Sequence, residues 1–338
     1  MKNVVIWVRD FFLLTADLIM FKFTSKQAPD AYRRLLSTFY LFGGIVNPVA
    51  SKFLGQKKLK LSRVGVLNQC TETELIAAQL HLKKQGYVVF ENILSDEVCS
   101  KFLQMSLNMD GYTRVMDGGV GNLEKVKFNR AKPQSTRIDY SSQDLVNQDL
   151  VQELISDESI LGFAQDYLGA APIIDLVAMW WHTNFSNVAD KEAAQWFHFD
   201  MERIKWIKFF FYITDVTEDT GPHVFVPTTH KAFGIPFSLR KKGYVRLSDT
   251  EVSEHYPSTL WKEFTGARGT LIVEDTRGLH KGKHCVEGDR LLFQLEFTSS
   301  PFGAELKPVE ITPSRNVPQM SKMLEEFPNV YSMMLRDS

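Results

Sequence analysis

Phe197-His198-Phe199-Asp200, with the run Lys205-Trp206-Ile207-Lys208-Phe209-Phe210-Phe211-Tyr212-Ile213-Thr214-Asp215 close behind it, decides the reading of this chain. The run is aromatic and β-branched, the composition of a buried strand. In an extended segment residues i and i+2 point to one face, so His198 and Asp200 can reach one metal ion from one side of a sheet. Much later in the chain come His280 and Arg290. Two imidazoles and a carboxylate take three corners of an ion and leave three open, which suits Fe(II) with O₂ and a co-substrate.

The triplet alone is weak, because eight histidines make about half a chance match to His-x-Asp. Its context is ordered. After the aromatic run come Gly221-Pro222-His223 and Pro227-Thr228-Thr229-His230, then Asp275-Thr276-Arg277-Gly278-Leu279-His280. The series closes on Gly288-Asp289-Arg290-Leu291-Leu292-Phe293-Gln294-Leu295-Glu296-Phe297. Over roughly residues 78–300 it resembles the phytanoyl-CoA dioxygenase family of Fe(II)/2-oxoglutarate oxygenases. That family shows His-x-Asp, a strand ending in Asp-Val, a Gly-Pro…Pro-x-x-His turn, and a histidine about ten residues before an arginine. Gly86-Tyr87-Val88-Val89-Phe90 matches the edge strand with which such chains often begin. One departure is Pro227-Thr228-Thr229-His230, where the family commonly has Pro-Gly-Ser-His.

The resemblance implies a mainly β fold, a double-stranded β-helix (jelly-roll, cupin-like) barrel over about residues 172–300 with helices of 71–170 buttressing one face. It implies His198, Asp200 and His280 as ligands of Fe(II), with 2-oxoglutarate and O₂ as co-substrates. His284 competes with His280, but its distance to Arg290 is too short for the family's spacing. Arg290 is expected to grip the distal carboxylate of 2-oxoglutarate, since a guanidinium fork matches a carboxylate and stays charged when buried. Lys208 sits mid-strand among apolar residues and needs a partner, either the same co-substrate carboxylate or solvent. Trp180, Trp181, His182 and Asn184 precede the His-x-Asp segment where the family lines its pocket, and Arg137, Trp181, Arg203 and Arg277 are candidate substrate contacts. His223 and His230 are read as structural.

The chemistry so implied is hydroxylation of an unactivated C–H bond of a small-molecule or lipid-linked substrate, with release of succinate and CO₂. Asp200 speaks against halogenation, in which a small residue replaces that carboxylate. The competing reading is a non-redox jelly-roll protein, a binding module or isomerase that does not turn over 2-oxoglutarate.

The 338 residues, 44% hydrophobic, suffice for one large core with an appendage. Cys70, Cys99 and Cys285 show no paired spacing, so a reducing, cytoplasmic setting is expected rather than a disulfide framework. No nucleic-acid partner is indicated. Residues 1–70 differ in kind: eleven Lys and Arg stand against three Asp, a net +8 in a chain of net −1. They are also apolar, with Val4-Val5-Ile6-Trp7-Val8, Phe11-Phe12-Leu13-Leu14 and Leu18-Ile19-Met20-Phe21. Arg9, Asp10 and Asp17 interrupt the pattern and oppose a transmembrane span. Two expectations stand side by side: helices packed on the barrel, or an amphipathic contact with the inner face of the membrane through residues 1–60. Thr71-Glu72-Thr73-Glu74 predicts a capped helix, as does Ser95 ahead of Asp96. Helical spacing runs over 145–168 and ends at Gly169, 111–140 reads as a long loop, and 301–338 as a tail.

Overall fold

The fold, described here from a computed structural model for residues 2–113 and 124–336, is built on one large antiparallel sheet. Its strands are β1 (Tyr87–Phe90), β2 (Gly111–Thr113), β3 (Lys125–Val126), β4 (Arg137–Tyr140), β5 (Ile173–Thr183) and β6 (Trp206–Tyr212), with β9 (Leu271–Glu274) and β11 (Asp289–Thr298). They run in the order β1-β9-β6-β11-β5-β4-β2-β3. A second sheet holds β7 (His223–Phe225), β8 (Lys262–Phe264) and β10 (His280–Gly282), in the order β10-β7-β8.

Strand alternation explains the layering. Phe209, Phe211, Phe293, Leu295 and Phe297 point to one face of the large sheet and are buried beneath helices. The other face carries Trp180, Phe210, Tyr212, Ile272 and Leu292, which meet Phe225 and Phe264 of the second sheet. Pairing does not close these strands into one barrel. The large sheet also reaches outside the expected 172–300 interval. It recruits β1 at one edge, where the Gly86–Phe90 motif stood, and β2, β3 and β4 at the other. The expected loop over 111–140 contributes three short edge strands, with 127–136 between β3 and β4 remaining loop; its residues 114–123 lie outside the described ones.

Three helices come first: α1 (Lys2–Thr24), α2 (Ala31–Phe42) and α3 (Asn47–Leu54). The capped helix read at Thr71 is α4 (Glu72–Gln85). Thr71 accepts from the Glu74 amide at 3.3 Å, and the Glu74 carboxylate accepts from the Thr71 amide at 2.7 Å. It stops at Gly86, whose φ of +95° an L side chain rarely adopts. Ser95 caps α5 (Asp96–Asn108). The short α6 (Ser142–Leu145) comes just ahead of the helical spacing at 145–168, which resolves into α7 (Asp149–Ile155) and α8 (Glu158–Leu168). Asp157 starts the last of these by accepting the Ser159 and Ile160 amides, so a cap inside the pattern breaks one predicted helix into pieces.

The ends are integral parts of the fold. α1 lies along α2, with Asp10 bound to Arg33 at 2.6 Å and Asp17 to Arg34 at 2.8 Å. Asn47 donates to the Ile204 carbonyl and Phe21 packs edge-on to Phe302, so this layer sits on the main body. No described helix is long and apolar enough to cross a membrane. The expected tail at 301–338 is also folded in. β12 (Val309–Ile311) pairs in parallel with β13 (Met334–Arg336), and the helix Pro318–Glu326 buries Met320 and Met323 in the core beneath the large sheet. Gln152 ties this segment down, donating to the Thr312 carbonyl and accepting the Ser314 amide.

Candidate active site

His198 and Asp200 lie on an extended segment beside β10. His198 and His280 exchange backbone hydrogen bonds of 2.9 Å, and the Asp200 amide donates to the Thr276 carbonyl. Each imidazole is fixed by a carbonyl two residues upstream: His198 Nδ1 donates to Trp196 O at 2.9 Å and His280 Nδ1 to Gly278 O at 3.0 Å. A carbonyl only accepts, so each Nδ1 carries the proton and each Nε2 presents its lone pair. Those atoms face Asp200, with His280 Nε2 at 3.5 Å from Oδ2 and His198 Nε2 at 3.9 Å from Oδ1. The ligand atoms of all three residues fall within 4.8 Å of one another, and all three residues are buried. Donors about 2 Å from a shared ion sit about 3–4 Å apart, so small adjustments would let the three hold one.

Electrostatics keep the triad in a ligating state. Burial lowers both histidines, with the neighbouring imidazole adding to the effect at His198, so the rings are neutral. Burial alone would raise Asp200, but the Lys208 ammonium beside it holds it well below the usual carboxylate range. Lys208 Nζ lies 2.7 Å from Asp200 Oδ2 and 3.3 Å from Glu296. The register explains this, because Lys208 on β6 sits between Glu274 on β9 and Glu296 on β11. Burial pushes Glu274 and Glu296 each up to about 8. Glu274 meets His223 at 2.9 Å; burial and the charge of Arg290 lower that imidazole to about 3, so acid and base are both neutral there.

The triad opens into a cavity of about 180 Å³ whose lining includes Arg137, Trp180, His182, Lys208, Arg290 and Gln294. Arg290, opposite His182 in the β11–β5 register, donates from Nη2 to His182 Nδ1 at 2.6 Å. The His182 ring is turned for this, since its Nε2 donates to the Ala193 carbonyl. Arg290 is 1% exposed, and its Nε and Nη1 are buried with no partner among the described residues. Two orphaned guanidinium donors are costly unless an anion completes them. A small dicarboxylate bound at the triad would do so.

The remaining candidates separate. Arg137 reaches the cavity, lying 4.3 Å over Trp180 and bound to Asp139. Trp181 alternates with Trp180 and points the other way, into the core against Phe128, so it does not line the cavity. Arg203 is 1% exposed and grips Asp175 through two bonds of 2.7 and 2.8 Å, which makes it a structural clamp. Arg277 bonds Asp275, beside Tyr167, and lines a separate cavity of about 310 Å³ with Lys83 and Lys205. His284 stands away from the triad, beside Gln195. His230 faces Gly86, while His223, read as structural, belongs to the cavity. Glu274 and Glu296 escaped the reading, although Glu296 follows Arg290 by an even number of residues and so shares its face. Tyr244, whose hydroxyl is 3.5 Å from Asp200 Oδ1, had no signal in the sequence.

Among solved structures the fold is similar to HygX from Streptomyces hygroscopicus with nickel and 2-oxoglutarate bound, at 15% identity over 74% of this chain and 94% of that one, TM-score 0.49. It is also similar to EctD from S. alaskensis in its apo form, at 14% identity over 74% and 85%, TM-score 0.49. A third is the epimerase SnoN in complex with Fe³⁺, alpha ketoglutarate and nogalamycin RO, at 14% identity over 68% and 84%, TM-score 0.48. No curated protein sequence matches. The family model described as phytanoyl-CoA dioxygenase matches residues 82–285, more than half of the chain. The chain belongs to the phytanoyl-CoA dioxygenase family, whose members depend on Fe(II) and 2-oxoglutarate.

Proposed function

We propose that the protein hydroxylates an unactivated C–H bond of a small-molecule or lipid-linked substrate, holding Fe(II) on His198, Asp200 and His280. The observation that carries this reading is Arg290, buried in the same cavity as the triad with two donors unmet. It would bind the distal carboxylate of 2-oxoglutarate while His182 holds the guanidinium in place. Iron and 2-oxoglutarate, when bound, supply the oxidation of the C–H bond with release of succinate and CO₂. The chain supplies the rest. His198 and His280 are locked in one tautomer, and Lys208 orients the Asp200 carboxylate. Phe210 and Trp180 keep the cavity wall apolar. Arg137 is placed to meet a polar group of the substrate. In this reading the two packed sheets form the open jelly roll of a unit spanning 71–300, with 1–70 and 301–338 as its helical layer and stitched end. Three free thiols and an Fe(II) site suit a reducing, cytoplasmic compartment.

The test is anaerobic titration of the protein with Fe(II) and 2-oxoglutarate, watching for the visible metal-to-ligand charge-transfer band. A band that disappears in His198→Ala is expected. Iron binding without a band would leave the non-redox binding module or isomerase in its place.

A further inference from the structure

Helix α1 is turned opposite to an ordinary surface helix. Its acids, Asp10 and Asp17, face inward to Arg33 and Arg34, with 0% and 5% exposure. Outward, Val5, Val8, Phe12, Ile19 and Phe23 recur at helical spacing, and Val5, Phe12 and Phe23 are 70%, 68% and 79% exposed. A helix apolar on both sides has a second apolar neighbour besides its own protein. The patch continues at both ends. Lys22 lies 5.8 Å over the ring of the exposed Phe53 on α3, and Trp7 packs edge-on to Phe237, half exposed beyond it.

Charge decides the occupant. α1 has no acid besides the two it turns inward, while Arg9, Lys22, Lys26 and Lys52 are exposed around the stripe. A second copy docked by the same patch would set these cations against their own kind. A surface that is apolar within and anionic at its boundary satisfies both features. We propose that α1 lies in the plane of an anionic lipid bilayer, with Phe12 and Phe23 among the acyl chains and Lys22, Lys26 and Lys52 at the phosphates. Docking of this kind sets the candidate active site beside the bilayer. Trp7 stacks edge-on against Tyr40, which lies beside the Gly243 turn, and the next residue, Tyr244, reaches Asp200.

The experiment is co-sedimentation of the full chain with vesicles of phosphatidylglycerol and phosphatidylcholine in equal parts, and with vesicles of phosphatidylcholine alone. Binding is expected to be at least about tenfold stronger to the anionic vesicles and to fall with salt. Phe12→Ser with Phe23→Ser should weaken it at least about tenfold. Lys22→Gln with Lys26→Gln and Lys52→Gln should remove the preference for anionic lipid. All these positions are exposed, and an unchanged far-ultraviolet circular dichroism spectrum and melting temperature certify that each variant is folded. Absence of binding to either vesicle at low salt overturns the proposal. So does a concentration-dependent dimer that the phenylalanine substitutions dissociate. Vesicle binding requires neither iron nor 2-oxoglutarate, so its failure is separate from failure of the oxygenase reading.

Discussion

Asp10 and Asp17 on α1 are as inaccessible as Asp200 in the cavity, yet the two regions bury charge in different ways. Each α1 acid has its own arginine, and those cations reach solvent, Arg33 at 46% and Arg34 at 17% exposure. In the cavity Asp200 and Glu296 share one buried lysine, and burial pushes Glu274 and Glu296 up to about 8, so both hold a proton at neutral pH. The first arrangement is complete. The second is balanced by protons as well as by pairing, so a divalent ion bound to Asp200 would change the charge state of its neighbours. The contrast separates acids that hold the molecule together from acids that wait for a ligand.

The contrast is broken most directly at Asp200. Asp200→Ala is expected to weaken Fe(II) binding by more than about a hundredfold and abolish turnover, read by anaerobic metal titration and succinate release. Arg203→Met probes a sealed pair with no ligand role. It strands Asp175 as a buried, unpartnered carboxylate and should cost about 3–5 kcal/mol in urea unfolding, with the metal site intact in what remains folded. Arg290→Met should raise the 2-oxoglutarate concentration at half-saturation by about ten- to a hundredfold while Fe(II) affinity holds. Arg33→Met, at the solvated pair, should cost about 1 kcal/mol or less, since Arg9 also reaches Asp10.

A pH series on the metal-free protein sharpens the same point. Glu274 carries a pKa of about 8 in the fold against 4.5 ordinarily. A raised carboxyl contributes its stability below the ordinary value and loses it as pH climbs through the folded one. In chelator Glu274 should therefore contribute a decline in the urea midpoint between 4.5 and about 8, set against the rise that the lowered His198, His223 and His280 contribute below 6.5, and Glu274→Gln should remove that declining share.

How much of this could be read from the chain divides along the same line. His198 and Asp200 were legible because their relation is local, two residues along an extended segment. His280 and Arg290 were legible through the ordered series that contains them. Helix caps at Thr71 and Ser95 were legible because a cap is a rule about four adjacent residues. The partners of Lys208 were not, since they come from β9 and β11 and depend on register that no local pattern fixes. Asp10 and Asp17 read as interruptions of an apolar stretch because the arginines that neutralise them lie on another helix. The edge strands β2 to β4 were too short to show a period, and the folded end past residue 301 depends on Gln152, far upstream.

The position of β11 between β6 and β5 has a consequence for the chain as it is synthesised. Until residues 289–298 leave the ribosome, native pairing can join the strands of the large sheet only as two fragments, β1-β9-β6 on one side and β5-β4-β2-β3 on the other. Each fragment shows an open, aromatic edge, that of β6 lined by three consecutive phenylalanines. The last strand of the sheet to emerge joins the halves and brings Arg290 with it. Half-made chains would thus be sticky and without their co-substrate arginine, and the sheet and the candidate anion site would be completed in a single late step.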